Sequence, residues 1–244
     1  MFFAVTFGAL VVPYSFALGQ GSTIDILQRS LCALVTVKSE IASASPLMEM
    51  VESGGFSGRE AGAIAVSSTG YLREGGGVIV DPAGIIVTNA HIVRQAGRIR
   101  VVLSDNMELA VIAIAIAPDA DLAFLKIAPP GPLESAQLAG SDEIMSGATV
   151  YNIGRSEALR GTITEGRIIG LGSKSIVDIK GQLNTSFGSI ITDLDVYSGD
   201  SGSPIFNGEG HLIGLIRARS ESGSACASLA IPATSIRNYL DLLK

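Results

Sequence analysis

Short apolar blocks separated by turn residues fill most of the chain beyond residue 30. Four to ten residues rich in Val, Ile and Leu, bounded by Gly, Pro, Asp or Asn, predict β-strands. Only 24–29 and 233–243 have the spacing of helices. Strands are predicted at 32–37, 76–80, 85–88, 99–103, 108–116, 122–127, 149–153, 162–171, 189–192, 204–206, 211–217 and 227–231. The segment 39–73 is rich in Ser, Gly and Ala, and predicts a long surface loop with one short strand at 61–66.

Composition agrees with this all-β interpretation. The 244 residues include 29 glycines and are 47% hydrophobic but only 16% charged, which suits many strands joined by tight turns. This length fits one large all-β domain or two small ones. The formal net charge is −6, and the 17 Lys and Arg residues form no basic run. Nucleic acid is therefore excluded as an expected partner, because phosphate binding needs clustered cations.

The first nineteen residues carry no charged side chain and are followed by a polar turn. This pattern predicts an export signal, although its basic start is missing and its apolar length also fits an uncleaved membrane anchor. A Pro-rich stretch at 128–132 predicts a linker between two halves. The expected organisation is a signal or anchor at 1–19, a first barrel half at 20–130 and a second half at 131–244.

Ser201 lies in the run Gly199-Asp200-Ser201-Gly202-Ser203, whose small residues predict a tight turn that exposes the hydroxyl. Such a turn is also expected to aim the backbone N–H groups of Gly199 and Ser201 at one point, as an oxyanion hole. A serine hydroxyl is a weak nucleophile and needs a neighbouring base. These residues are the candidates for the nucleophile and the oxyanion site.

His91 is the preferred base, since it directly follows a predicted core strand. The other histidine, His211, follows a predicted hairpin turn. A carboxylate is needed to hold the imidazole in the tautomer that leaves its second nitrogen free. Asp121, at the start of an apolar strand, is preferred for this role over Asp119, which is expected to be a solvated turn residue.

Three blocks, Thr88-Asn-Ala-His91, Asp121-Leu-Ala-Phe-Leu-Lys126 and Gly199-Asp-Ser-Gly-Ser-Pro204, resemble the signatures of trypsin-like serine peptidases. Their order and spacing are most similar to the HtrA/Deg branch. The resemblance implies a chymotrypsin-like fold of two six-stranded β-barrels with a short C-terminal helix. It also implies a serine endopeptidase that acts on polypeptides without a cofactor. HtrA-type proteins usually continue into PDZ domains, which we do not expect in this chain.

The charged residues of the expected substrate pocket do not indicate a single type of P1 side chain. Asp195 stands six residues before the nucleophile, where trypsin carries the acid that attracts Arg or Lys. Arg217 and Arg219, on the strand expected to line the same pocket, could neutralise Asp195 or bind an acidic side chain. Basic, small apolar and acidic P1 residues therefore all stay open. Asp200 resembles the pancreatic type, and we expect it to pair with backbone amides or an arginine, or simply to cap the turn.

Two other functions compete with the peptidase interpretation. The barrel could be a catalytically silent module that binds peptides, and the same triad could serve an esterase, although esterases of the α/β type place their histidine last. No metal site is expected from two separated histidines and two distant cysteines, Cys32 and Cys226. These cysteines are expected to be buried thiols or a long-range disulfide. The oligomeric state is not predicted.

Overall fold

The computed structural model of the chain describes residues 22–41, 71–154, 162–177, 183–197, 199–220 and 227–243. Most of the regular structure in these ranges is β-strand. The first set of strands is β1 (Leu34–Ile41), β2 (Tyr71–Asp81), β3 (Ile85–Asn89), β4 (Ala96–Val102), β5 (Glu108–Ala117) and β6 (Leu122–Ile127). The second set is β7 (Thr149–Ile153), β8 (Ile163–Val177), β9 (Leu183–Thr192), β10 (Pro204–Phe206), β11 (Leu212–Ser220) and β12 (Ala227–Pro232). The α-helices are α1 (Thr23–Ser30), α2 (Ala90–Val93) and α3 (Ala233–Leu242).

Each set of strands closes on itself as an antiparallel barrel. The neighbour order is β1-β2-β3-β6-β5-β4 in the first barrel and β10-β11-β12-β9-β8-β7 in the second. Closing a sheet on itself removes most of the unpaired edges through which β-strands can pair with other chains. The predicted fold is therefore confirmed: two six-stranded barrels of the chymotrypsin type, with a short C-terminal helix.

The apolar residues of β2 and β3 face two different cores in alternation. Ile79 and Ile86 are opposite each other and lie inside the first barrel. Val78 and Val87 are also opposite each other, but they point outward into a cluster that both barrels share. Successive side chains of a strand point to opposite faces, so a strand buried on both faces must be apolar at consecutive positions. This is why these segments appear as continuous apolar blocks.

The shared cluster fixes the two barrels against each other. It joins Phe124 of β6 to Phe206 of β10, and both aromatic side chains are essentially inaccessible to solvent. Complete burial of one such side chain is worth about 1.5–3 kcal/mol. Leu27 of α1 enters the same cluster, and α1 itself begins with a capping box between Ser22 and Asp25. The junction of the barrels is therefore a packed interior, on which a site built from both can be held rigidly.

Several boundaries differ from those predicted. β1 begins at Leu34 because residues 31–33 form a 3-10 turn directly after α1. The predicted loop 39–73 is strand at both described ends, while 42–70, including the strand predicted at 61–66, lies outside the described residues. β8 and β9 are longer than predicted and extend to the pair Val177 and Leu183. Their backbones continue to pair there, although the sequence has no apolar pattern that predicts a strand.

The predictions for the N-terminus and the cysteines are only partly within the described ranges. The segment 1–19 and Cys226 lie outside them. Cys32 carries a free and exposed thiol, so the expectation that it is buried is wrong. Among the residues described, no helix has the length and apolar character needed to cross a membrane.

Candidate active site

His91 lies on the single-turn helix α2, which follows β3 directly at the junction of the barrels. Three of the four helix residues, Ala90, Ile92 and Val93, are buried, and this anchors the turn in the first barrel. Ser39 of β1 donates a hydrogen bond of 2.5 Å to the carbonyl oxygen of Ile92. The His91 side chain is the member of the helix that faces solvent, with 45% of its surface exposed. The helix therefore presents an accessible imidazole from a rigid base.

Asp121 holds His91 through two atoms. Its Oδ2 lies 2.9 Å from His91 Nδ1, and its Oδ1 accepts a hydrogen bond of 3.0 Å from the His91 backbone N–H. The Asp121 backbone has a φ of 55°, in the left-handed region, which Asp tolerates better than most residues. Its carbonyl oxygen accepts the N–H of Ala90 at 2.9 Å, so the aspartate is fixed by its main chain as well. Asp119, by contrast, lies exposed on a 3-10 turn.

The protonation of this pair follows from its surroundings. Burial acts to raise the pKa of Asp121, but the hydrogen bonds from His91 and the charges of His91 and Arg217 outweigh burial and bring that pKa below its usual value. An ionised carboxylate only accepts hydrogen bonds, so Nδ1 of His91 must carry the proton it shares with Asp121. In the neutral imidazole, Nε2 is then left with a free lone pair.

Ser201 lies on a turn whose conformation depends on glycine. Gly199 and Gly202 have φ values of 99° and 80°, in a region that residues with a side chain rarely adopt. Two backbone hydrogen bonds hold the turn: the N–H of Gly202 donates to Ile216 O at 2.8 Å, and the N–H of Ser203 donates to Asp200 O at 2.9 Å. Ser201 Oγ donates a long hydrogen bond, 3.5 Å, to the carbonyl oxygen of Arg217. No hydrogen bond joins Ser201 to His91 among the contacts of the described residues.

The N–H groups of Gly199 and Ser201 differ from those of their neighbours. Asp200, Gly202 and Ser203 all donate their N–H groups within the protein, but in the described part of the chain Gly199 and Ser201 donate theirs to nothing. Unused donors in a tight turn are what an anionic ligand or intermediate needs. The pair predicted as an oxyanion hole is thus available for that use.

Gly76 of β2 brings the first barrel directly onto the serine turn. Its N–H donates a hydrogen bond of 2.7 Å to Ser201 O, and its carbonyl oxygen accepts the Thr88 hydroxyl at 2.7 Å. A Cβ atom on Gly76 would lie only 2.6 Å from Ser203 N. This contact was missed at the sequence level, although a glycine inside a strand is a signal for close backbone approach.

Asp195, Arg217 and Arg219, the residues predicted to form the substrate pocket, have different partners in the structure. Asp195 is exposed and accepts a hydrogen bond of 2.8 Å from the Tyr197 hydroxyl. Arg217 places its Nε 3.4 Å from Asp121 Oδ2, so its ion pair is with the candidate catalytic aspartate and not with Asp195. The backbone of Arg219 pairs with Ser228, and its side chain lies outside the described residues.

Asp200 is fully buried beneath the turn. Its Oδ2 accepts the backbone N–H of Tyr197 at 2.8 Å, and its own N–H donates to Tyr197 O at 3.0 Å. The expected pairing with a backbone amide is therefore present, in the form of a cap on the turn.

His211 belongs to a separate network away from the serine. Its Nδ1 lies 2.6 Å from Glu143 Oε2, which also accepts the Asn207 side-chain amide at 2.7 Å. The backbone N–H of Gly140 is the leading cause that holds the pKa of Glu143 below its usual range, followed by His211. With Glu209, these side chains place candidate ligand atoms within 4.8 Å of one another, a grouping that the sequence did not predict. Both oxygens of Glu143 accept hydrogen bonds, one from Gly140 in its own segment and one shared with His211. The network therefore connects the segment before β7 to the β10–β11 turn.

Double barrels with a histidine–aspartate pair on one barrel and a glycine-flanked serine turn on the other define the trypsin-like class of peptidases. The family model of the trypsin-like peptidase domain matches residues 75–215, and the chain belongs to this family. The match begins within β2, ends within β11 and includes His91, Asp121 and Ser201.

Similar proteins include several HtrA and Deg proteases. The chain is 33% identical over 207 residues to the mitochondrial serine protease HTRA2 of Bos taurus, covering 85% of this chain and 42% of that protein. It is 33% identical over 171 residues to the periplasmic serine endoprotease DegP of Salmonella typhimurium, covering 69% of this chain and 35% of that protein. The chain thus spans less than half the length of these relatives. The resemblance to the HtrA/Deg branch is confirmed.

Proposed function

We propose that the chain is an exported serine endopeptidase that cleaves polypeptides through an acyl-enzyme, with Ser201 as nucleophile, His91 as base and Asp121 as the orienting acid. One observation carries the proposal: Arg217 contacts both Ser201 and Asp121, and Asp121 is hydrogen-bonded to His91. This chain of contacts supports a single site assembled from both barrels.

In the proposed reaction, Ser201 Oγ attacks the carbonyl carbon of the scissile peptide bond while His91 Nε2 accepts the hydroxyl proton. The carbonyl oxygen becomes an oxyanion, and the unused N–H groups of Gly199 and Ser201 are suited to hold it. The leaving amine takes the proton from His91 as the C–N bond breaks. Water then hydrolyses the ester by the same steps in reverse order, and serine is restored.

The serine must turn before it reacts. Its long hydrogen bond to Arg217 O is at the weak limit of distance, so little holds Oγ in that rotamer. Catalytic hydrogen bonds in free enzymes are often poorly aligned and tighten when substrate binds. The proposed step is a rotation about χ1 that brings Oγ to His91 Nε2, a motion that takes picoseconds to nanoseconds for an accessible side chain.

The place of action and the substrate preference are further parts of the proposal. The uncharged leader at 1–19 and the periplasmic location named for the DegP relative both support export. Asp195 is exposed and free of an ion pair with Arg217, which favours its availability to a basic P1 side chain. Cleavage of a peptide library tests this, and cutting after Leu or Val with none after Arg or Lys contradicts a role for Asp195.

Labelling with a fluorophosphonate probe tests the catalytic assignment. We expect wild type to be labelled covalently, and Ser201→Ala and His91→Ala to lose all labelling. Ser203→Ala is the matched control, because Ser203 is a buried serine of the same turn and should leave labelling intact. A folded wild type that stays unlabelled would refute the peptidase and leave the peptide-binding module as the function.

A further inference from the structure

Arg217 lies at an irregularity in the second barrel. Along β11, Ile216 is opposite Ala230 and Ala218 is opposite Leu229, so Arg217 is an extra residue between two consecutive pairs. Such a β-bulge bends the strand and redirects the side chain of the inserted residue, and bulges are frequent beside active sites. Here the redirected side chain reaches across the barrel junction to Asp121.

The contacts of Arg217 involve two of the proposed triad residues at once. Its carbonyl oxygen accepts the Ser201 hydroxyl at 3.5 Å, and its Nε lies 3.4 Å from Asp121 Oδ2. That same Oδ2 is the atom 2.9 Å from His91 Nδ1. The guanidinium and the imidazole therefore share one carboxylate oxygen, and the arginine limits how that carboxylate can turn.

Several charged side chains on the strands around α2 have partners of their own. Of the strands that contact the helix, β1 contributes Lys38 and Glu40, which pair with Glu74 of β2 and Arg100 of β4. The β6 residue Lys126 donates to Ala83 O. In the described residues, only Arg73 and Arg217 bring cations to His91 and Asp121. Arg73 donates to the His91 backbone carbonyl oxygen at 3.0 Å and not to the carboxylate.

We propose that Arg217 is a positioning residue of this site, which restrains the carboxylate of Asp121 and so sets the orientation of His91. The proposal rests on the proposed peptidase function. A cation beside Oδ2 favours the ionised form of the Asp121 carboxylate, the form that accepts the hydrogen bonds from His91. The hydrogen bonds and charge of His91 are the larger causes that lower the pKa of Asp121, and the charge of Arg217 is the smallest.

Kinetics of Arg217→Met, Arg217→Lys and the control Arg73→Met test the proposal, with melting temperatures to establish folding. For Arg217→Met we expect kcat to fall about 10- to 100-fold with KM nearly unchanged, as for loss of a supporting residue. Arg217→Lys should recover much of kcat, because it keeps a cation beside Oδ2, and Arg73→Met should lower kcat less than Arg217→Met does.

A wild-type kcat in Arg217→Met overturns the proposal, as does a lysine variant no better than the methionine variant. A second measurement does not depend on turnover. In the full chain carrying Ser201→Ala, a carboxyl-carbon NMR titration of Asp121, assigned with Asp121→Asn, should show a higher pKa when Arg217 is also replaced by Met. An unchanged pKa refutes the role of Arg217 alone, whereas failure of fluorophosphonate labelling refutes the peptidase function alone.

Discussion

Substitution of Gly76 by alanine tests whether the site depends on close contact between the barrels. The added Cβ would lie 2.6 Å from Ser203 N and 2.8 Å from Gly202 C. Both are backbone atoms, so no rotation of a side chain can relieve the overlap. Ordinary contact begins at 3.4 Å, so the serine turn must retreat from β2 by about 0.8 Å. The hydrogen bond from Gly76 N–H to Ser201 O would lengthen with it.

Two magnitudes follow for Gly76→Ala. Overpacking of a well-filled interior costs about 1–3 kcal/mol, and in a protein of this size each kcal/mol lowers the melting temperature by about 2–4 °C. A displacement near 1 Å between reacting groups costs about 100-fold in rate. We therefore expect a folded protein with a modestly lower melting temperature and a kcat/KM reduced by about two orders of magnitude.

Peptidase kinetics and thermal melting of the two glycine variants provide the assay. Gly131→Ala is the matched control, because no atom lies within 4 Å of the position its Cβ would take, and it should match wild type in both measurements. Wild-type kcat/KM in Gly76→Ala would refute the idea that this contact aligns Ser201 with the first barrel. A fall in stability without a fall in activity would have the same meaning.

Other predictions concern the charged residues. Asp121→Asn should reduce kcat by about 10⁴-fold, as expected when the imidazole loses its orienting carboxylate, while Asp119→Asn should stay within about twofold in the same assay. Because the pKa of Asp121 is lowered on folding from 3.8, its contribution to stability is complete above pH 3.8 and is lost as pH falls through the lower folded value. Urea unfolding should therefore show the stability gap between wild type and Asp121→Asn closing below pH 3.8, and a gap that widens there contradicts the sign. Glu143→Gln should destabilise the protein by about 1 kcal/mol through its weakened hydrogen bonds while leaving kcat unchanged, and a loss of activity larger than twofold at full folding would contradict a purely structural role.

The strands could be predicted well where their side chains are apolar and buried, and poorly where they are held mainly by backbone pairing. The limits of β6 match the predicted 122–127 because the run Leu122 to Ile127 is almost wholly buried. The outer parts of β8 and β9 carry Gly, Ser and Lys, and are held by backbone pairing that leaves no trace in hydropathy. α2 was not predicted either, since a single turn of helix is too short to show a periodic pattern.

For the site, the sequence determined which residue types were available: one serine in a glycine turn, one histidine after a core strand and one aspartate before another. Their local context follows from neighbouring residues, so His91, Asp121 and Ser201 could be proposed without coordinates. The place of Arg217 at a substrate pocket stays a prediction. Its contact with Asp121 could not be predicted, because a strand position alone does not reveal a bulge that redirects its side chain.

Only the tertiary structure decided how the two barrels meet. The contact of Gly76 with Ser201 spans 125 residues of chain, and the contact of Arg217 with Asp121 spans 96. Local propensities carry no information on such pairs, which depend on the register of two closed barrels and the shared apolar cluster between them. The sequence by itself determined which candidate catalytic side chains the chain carries. Packing across the junction of the barrels decided which of them lie together in one site.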